Sequence, residues 1–228
     1  MKKRVIVISL GGSLIVPEKI DLNFLRNFRK IIKKNTKKYK FVIVCGGGTV
    51  ARKYIKILRD EKKSDYLQSL IGISVTRLNA RFMSYFFGKD PDQGIPHDIK
   101  HVKSLLGKNN IVFCGGLRYK PNQTSDATSA QIADYFKADF INLTNVSGLH
   151  TKNPKKFKNA KLIPNISRQE LYNMITKLKY KPGQNIPMDQ TAVSIIKKNK
   201  IKAYILGKNP KNLDNLLNNK RFIGTVID

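Results

Sequence analysis

Three short apolar runs in this chain end in paired glycines. They are Val5-Ile6-Val7-Ile8-Ser9-Leu10-Gly11-Gly12-Ser13, Phe41-Val42-Ile43-Val44-Cys45-Gly46-Gly47-Gly48-Thr49 and Ile111-Val112-Phe113-Cys114-Gly115-Gly116. Continuous β-branched runs of this length fit strands buried on both faces. Apolar residues then recur at helical spacing: Leu22, Leu25, Phe28 and Ile32 behind a cap at Asp21; Val50, Tyr54, Ile57 and Leu58 behind a start near Thr49; and Leu67, Leu70, Ile71, Val75, Leu78 and Phe82 within 65–87. The pattern predicts strands at 4–10, 41–45, 111–114, 139–144, 202–206 and 222–227. Further helices are predicted at 98–106, from near Thr124, at 167–178 with a capping box of Ser167 and Glu170, from Asp189 to Asn199, and at 210–218. Residues 88–98 and 181–187 carry the Gly and Pro of loops, and a lysine-rich polar loop runs to about 160. Strands alternating with helices imply a largely parallel sheet covered on both faces, one α/β domain over 1–228.

A chain of 228 residues is long enough for such a core. No apolar run approaches the roughly 20 residues that span a bilayer. The basic start (Lys2, Lys3, Arg4) precedes too short an apolar run for a signal peptide, so a cytoplasmic protein without membrane contact is expected. Cys45 and Cys114 read as small buried residues at strand ends, and the three histidines and two cysteines form no metal-binding spacing. The net charge of +29 attracts polyanions. Its lysines are dispersed among many asparagines and isoleucines, which also fits compositional drift in an A+T-rich genome. Both readings stay open; nucleic-acid contact, in the absence of an RRM or KH signature, would be non-specific.

The glycines carry the candidate chemistry. Gly11-Gly12-Ser13 offers backbone donors and a hydroxyl at a strand end, or simply a tight turn; it is neither a Walker A loop nor a G-x-G-x-x-G fingerprint. Gly46-Gly47-Gly48 leads into a helix start, where the dipole favours an anion. Arg52 follows and would fork onto a phosphate, the alternative being a solvated helix residue. In the third loop the polar side chains of Asn122, Gln123, Thr124 and Ser125 suit a base or sugar, and Thr124 and Ser125 also suit a cap. His150 has no neighbouring carboxylate or nucleophile in sequence and reads as a surface residue. Few carboxylates stand at these loops, which disfavours paired-carboxylate hydrolysis and suits phosphoryl transfer, where positioning and electrostatics dominate.

The ordered set GGSL, CGGGTVARKYI, LIGISVTRLNA, GG…P-x-x-TSDA, TNVSGLHTKNPK and MDQTA…IKAYILGK resembles the amino-acid-kinase superfamily, most closely the archaeal-type uridylate (UMP) kinases. The resemblance implies a three-layer αβα sandwich, commonly a homohexamer, that transfers the ATP γ-phosphoryl group to UMP with Mg2+ in pyrimidine nucleotide biosynthesis. UMP would be held mainly by the first 130 residues and ATP mainly by 140–228. Gly12, Ser13, Gly48 and Arg52 would meet the ATP phosphates, Gly48 and Arg52 at the point of transfer. Thr144, Asn145, His150 and Asn153 would surround the ATP nucleoside. Gly47, Ser69, Leu117, Arg118, Pro121, Asn122, Gln123, Thr124 and Ser125 would hold UMP; no residue is assigned as a metal ligand. The chain departs from the family pattern in several places. Ser69 stands where an Asp usually meets the ribose, Ser9 where many relatives carry a Lys, and Asn122 where a Gly is customary. Ser147, His150 and Asn153 replace Asp, Tyr and Asp, and the third loop is about two residues longer. These departures keep two alternatives in view: a phosphotransferase of the same superfamily with another acceptor, and a non-catalytic basic RNA or polyanion binder.

Overall fold

The structure, a computed structural model, describes residues 3–121, 123–154, 156–176 and 188–228. Its strands are β1 (Arg4–Leu10), β2 (Tyr39–Cys45), β3 (Ile111–Cys114), β4 (Asp139–Leu143), β5 (Asn165–Ile166), β6 (Ala203–Leu206) and β7 (Thr225–Ile227). Its helices are α1 (Gly12–Ile15), α2 (Leu22–Asn35), α3 (Gly48–Asp60), α4 (Asp65–Phe86), α5 (Ile99–Lys108), α6 (Ser125–Phe136), α7 (Arg168–Thr176), α8 (Gln190–Lys198) and α9 (Pro210–Leu217).

The strands form one sheet in the order β3-β2-β1-β4-β6-β7-β5. The pairs from β3 through to β6 are parallel, while β7 runs antiparallel to β6 and carries β5 alongside it. Buried strands alternate their side chains between two cores. Ile6, Ile8 and Leu10 join Phe28 and Ile32 of α2, Met83 of α4 and Leu213 of α9 on one face. Val7, Val42 and Val44 join Val102 of α5, Ile132 of α6, Leu171 of α7 and Ile196 of α8 on the other. Two cores, one per sheet face, make the expected αβα layering. Cys45 and Cys114 are buried free thiols, and burial pushes the Cys114 thiol up to about 12 and raises Cys45 as well, so both behave as core residues.

The sequence pattern and the structure differ at the edges. β2 begins at Tyr39, two residues ahead of its purely apolar run. The final strand is only Thr225–Ile227 and is reversed, because a short connection after α9 returns the chain along β6. The four-residue α1 and two-residue β5 are too short for a periodic signal. In α3 only Ala51 is buried: the helix lies on α4 rather than on the sheet, leaving Tyr54 and Ile57 exposed. The 181–187 loop and the end of the 167–178 helix lie outside the described residues.

Chain order places the site. The chain runs outward through β1, β2 and β3, then crosses back to set β4 beside β1. Ligands of open α/β sheets settle at such a switch, outside the carboxyl ends of the strands. The loops after β1, β2 and β4 all emerge there.

Candidate active site

The first two glycine turns are pressed together at this switch. Gly11 N donates to Leu143 O at 3.0 Å, tying the first turn to the end of β4, and Gly46 N donates to Leu10 O at 2.9 Å. A Cβ on Gly12 would lie 2.2 Å from Gly48 N and 2.5 Å from Gly46 O, so no side chain fits. Gly48 has φ +62 and its own Cβ would meet Gly12 C at 2.6 Å, which leaves glycine as the unstrained choice on both counts.

These glycines also begin helices. Gly11 precedes α1 and Gly47 precedes α3, and neither supplies a side-chain cap. The other described α-helices begin under a capping oxygen: Asp21 for α2, Ser64 for α4, Asp98 for α5, Thr124 for α6, Ser167 for α7, Asp189 for α8 and Asn209 for α9. The first N–H groups of a helix have no intrahelical partner. In α3, 13 residues long, they remain available to an anion, with the positive end of the dipole behind them. Arg52 is exposed one turn into α3, and its Nη2 donates to Thr49 Oγ1 at 3.1 Å, so much of its fork is unspent. Ser13 lies half-buried on α1. Gly12, Ser13, Gly47, Gly48 and Arg52 thus share one end of the sheet.

The third glycine pair is built differently. Thr76 Oγ1 accepts from Gly116 N at 2.7 Å, and Arg77 donates through Nε to Gly116 O and through Nη2 to Leu117 O, each at 2.9 Å. Ser69, half-buried, lies on the same α4 stripe as Ile73 and Thr76, which border Gly116. Leu117 is 7% exposed and its side chain belongs to the core, so that side chain does not face a ligand. Arg118 pairs with Asp98 at 3.4 Å, and Pro121 is exposed in a turn. Gln123 turns inward: Nε2 donates to Thr128 and Gln131 at 3.0 Å each, while its Oε1 is buried without a partner. Thr124 caps α6 through Ala127 N and donates to Asp189. Ser125 brings its hydroxyl close to Gly46. Asn122 lies outside the described residues.

After β4, Thr144 follows the strand beside Gly11, its N–H donating to Leu206 O at 2.9 Å. Asn145 is exposed. His150 uses Nδ1 towards Gly148 O (3.0 Å) and Nε2 towards Ser147 Oγ (3.3 Å), which fixes the ring within its own loop. Asn153 O accepts from Lys156 N and Phe157 N and so opens the lysine-rich turn.

The sequence reading missed Asp126. It sits half-buried in the first turn of α6, accepts from Ser9 Oγ at 2.7 Å and is hydrogen-bonded by Asn142. Burial, with the Asp189 charge adding to it, pushes this carboxyl up to about 7, although the hydrogen bonds from Ser9 and Asn142 oppose the rise. Ser9 and Asn142 belong to β1 and β4, the strands of the switch, so Asp126 lies under the glycine turns. An aspartate in the first turn of a helix usually signals the dipole; nothing in its neighbours announced a buried partner across 117 residues.

Among the described residues no group of three or more His, Cys, Asp or Glu is placed to hold a metal. None of the described helices is long and apolar enough to cross a membrane.

The amino acid kinase family model matches residues 4–207. The uridylate kinase of Methanobrevibacter smithii is 32% identical over 97% of this chain and 98% of that protein. The uridylate kinase of Archaeoglobus fulgidus is 34% identical over 97% of this chain and 99% of that protein. The crystal structure of the uridylate kinase from Archaeoglobus fulgidus superposes with a TM-score of 0.83 at 33% identity, covering 98% of this chain and 99% of that one.

Proposed function

The chain belongs to the amino acid kinase family, and we propose that it is a uridylate kinase, moving the γ-phosphoryl group of ATP to UMP to give ADP and UDP in pyrimidine nucleotide biosynthesis. The observation that carries this reading is the uncapped start of α3, pressed backbone against backbone on the Gly12 turn at the topological switch.

On this reading the α1 turn (Gly12, Ser13) receives the ATP phosphates. Gly48, Arg52 and the first N–H groups of α3 face the group in flight, and Gly47 faces the UMP phosphate. An oxygen of the UMP phosphate attacks the γ-phosphorus in line while the bond to the β-phosphate oxygen breaks. That oxygen is already ionised, so no protein base takes a proton, and the chain contributes orientation and charge screening. The donor-rich, carboxylate-poor turns fit a polyphosphate. Mg2+, in turn, would be held chiefly by phosphate oxygens, where it would neutralise charge on the transferred group. Ser69 and loop residues 117–125 enclose UMP, whereas Thr144, Asn145, His150 and Asn153 border the ATP nucleoside. On this reading UMP is held mainly by the first 130 residues and ATP mainly by 140–228 of one domain.

The outer faces of α3 and α4 support a homo-oligomer. The helices pack where Gly72 meets Ile55, and they expose Tyr54, Ile57, Leu78 and Phe82, an apolar surface of the kind another copy covers. The two buried free thiols are in keeping with a cytoplasmic enzyme.

A coupled ADP-release assay with UMP, CMP and carboxylate or isoprenoid-phosphate acceptors tests the proposal. UMP is expected to give the highest kcat/KM; ADP release with another acceptor and none with UMP would sink it.

A further inference from the structure

We infer that Arg77 is a positioning residue for the phosphoryl acceptor, setting UMP affinity through the backbone of the loop that encloses it. The inference rests on the uridylate kinase reading and deepens it.

Three residues within one turn of α4 hold two loops. Asn79, 5% exposed, donates to Gly46 O at 2.7 Å and so fixes the second glycine turn. Thr76 Oγ1 accepts from Gly116 N at 2.7 Å and donates to Ile73 O at 2.7 Å. Arg77 spends Nε and Nη2 on the successive carbonyls of Gly116 and Leu117. β3 has ended at Cys114, so strand pairing does not fix these carbonyls. The loop also lies hard against the helix: a Cβ on Gly115 would sit 2.5 Å from Arg77 N and from Thr76 C. The third glycine pair is therefore there for close packing on α4.

Just beyond Leu117 the holds weaken, until Gln123 and Thr124 tie the far end of the loop to α6 and Asp189. Arg118 reaches Asp98 at 3.4 Å with a side chain 79% exposed, the kind of pair that contributes little. Tyr119 rests edge-on against the half-exposed Tyr66, ring centres 4.8 Å apart. Arg77 is thus the strong anchor at the near end of the stretch assigned to UMP, which begins at Leu117. Its planar fork spans two carbonyls, a geometry that a lysine ammonium does not reproduce. Because Asn79 holds the other loop two residues away, α4 sets the spacing between the acceptor loop and the point of transfer, where a displacement of about 1 Å is worth as much as 10²-fold in rate. Arg77 itself touches no reacting atom, and its effect is expected on the acceptor side alone.

The test compares full-length wild type, Arg77→Met and Arg77→Lys by steady-state kinetics with UMP and ATP varied separately, alongside thermal melting. The expected result is a KM for UMP raised about tenfold or more in both variants, with the KM for ATP within about twofold of wild type. An unchanged KM for UMP, or equal rises in both KM values, would overturn the inference, the second pattern marking a merely structural arginine. If Arg77→Met does not fold, Arg77→Lys carries the same comparison. Wild type is measured alongside, which separates the two claims: no turnover of UMP by wild type sinks the uridylate kinase reading, whereas wild-type turnover with unaltered variants sinks the role of Arg77 alone.

Discussion

The first two glycine turns and the third look alike in sequence but do different physical work. In the first two, glycine clears space between two backbones, and the helix starts that follow have no side chain over their N–H groups. In the third, glycine lets a loop lie against α4, its N–H is bound by Thr76, and the helix that follows is capped by Thr124. A glycine pair at a strand end therefore marks close approach, and what approaches is decided by whether the helix start is left open. An open start serves a charged ligand, whereas a capped and tethered one serves the geometry of a loop.

The largest expected effect comes from forcing the first two turns apart. Gly12→Ala puts a methyl group into the backbone of Gly48, so kcat/KM is expected to fall by about 10²-fold or more, with a lower melting temperature. Turnover near wild type would show that the two turns do not share a ligand. Arg52→Ala comes next: loss of one aimed donor predicts a fall of about 10²–10³ in kcat/KM. Arg52 is exposed and bonds only to Thr49 among the described residues, so its melting temperature should hold. Unaltered turnover would remove Arg52 from the mechanism.

The smallest effect is read in stability against pH. The folded Asp126 carboxyl sits at about 7, above its unfolded value, so the folded chain keeps a proton that the unfolded chain releases. The stability this group contributes is therefore full at acid pH and is lost as pH rises to about 7. Asp126→Asn cannot ionise, so its melting temperature should lose less than that of wild type between pH 5 and about 8. Parallel curves would show that Asp126 titrates normally.

Much of the sheet was legible because continuous apolar runs leave few alternatives, and Asp21, Asp189 and the Ser167–Glu170 box begin helices where their chemistry predicts. Less visible were features set by distant partners. The spacing of Tyr54 and Ile57 is amphipathic, yet their face is uncovered, because periodicity says which side is apolar and not what lies against it. Asp126 meets Ser9 only through the crossing from β3 to β4, and Leu117, assigned to UMP by the family resemblance, turns its side chain into the core. Arg77 was part of a recognised motif, but its role as a hook for two carbonyls needed the third loop in place.

Amide hydrogen exchange tests the contrast most directly, measured residue by residue by NMR with and without UMP and a non-hydrolysable ATP analogue. The account predicts that the N–H groups of Ser13, Gly48 and Thr49 exchange freely in the unliganded protein and become protected when nucleotides bind, whereas Gly116, already bonded to Thr76, is protected throughout. Protection arising at Gly116 while Ser13, Gly48 and Thr49 stay unchanged would contradict it.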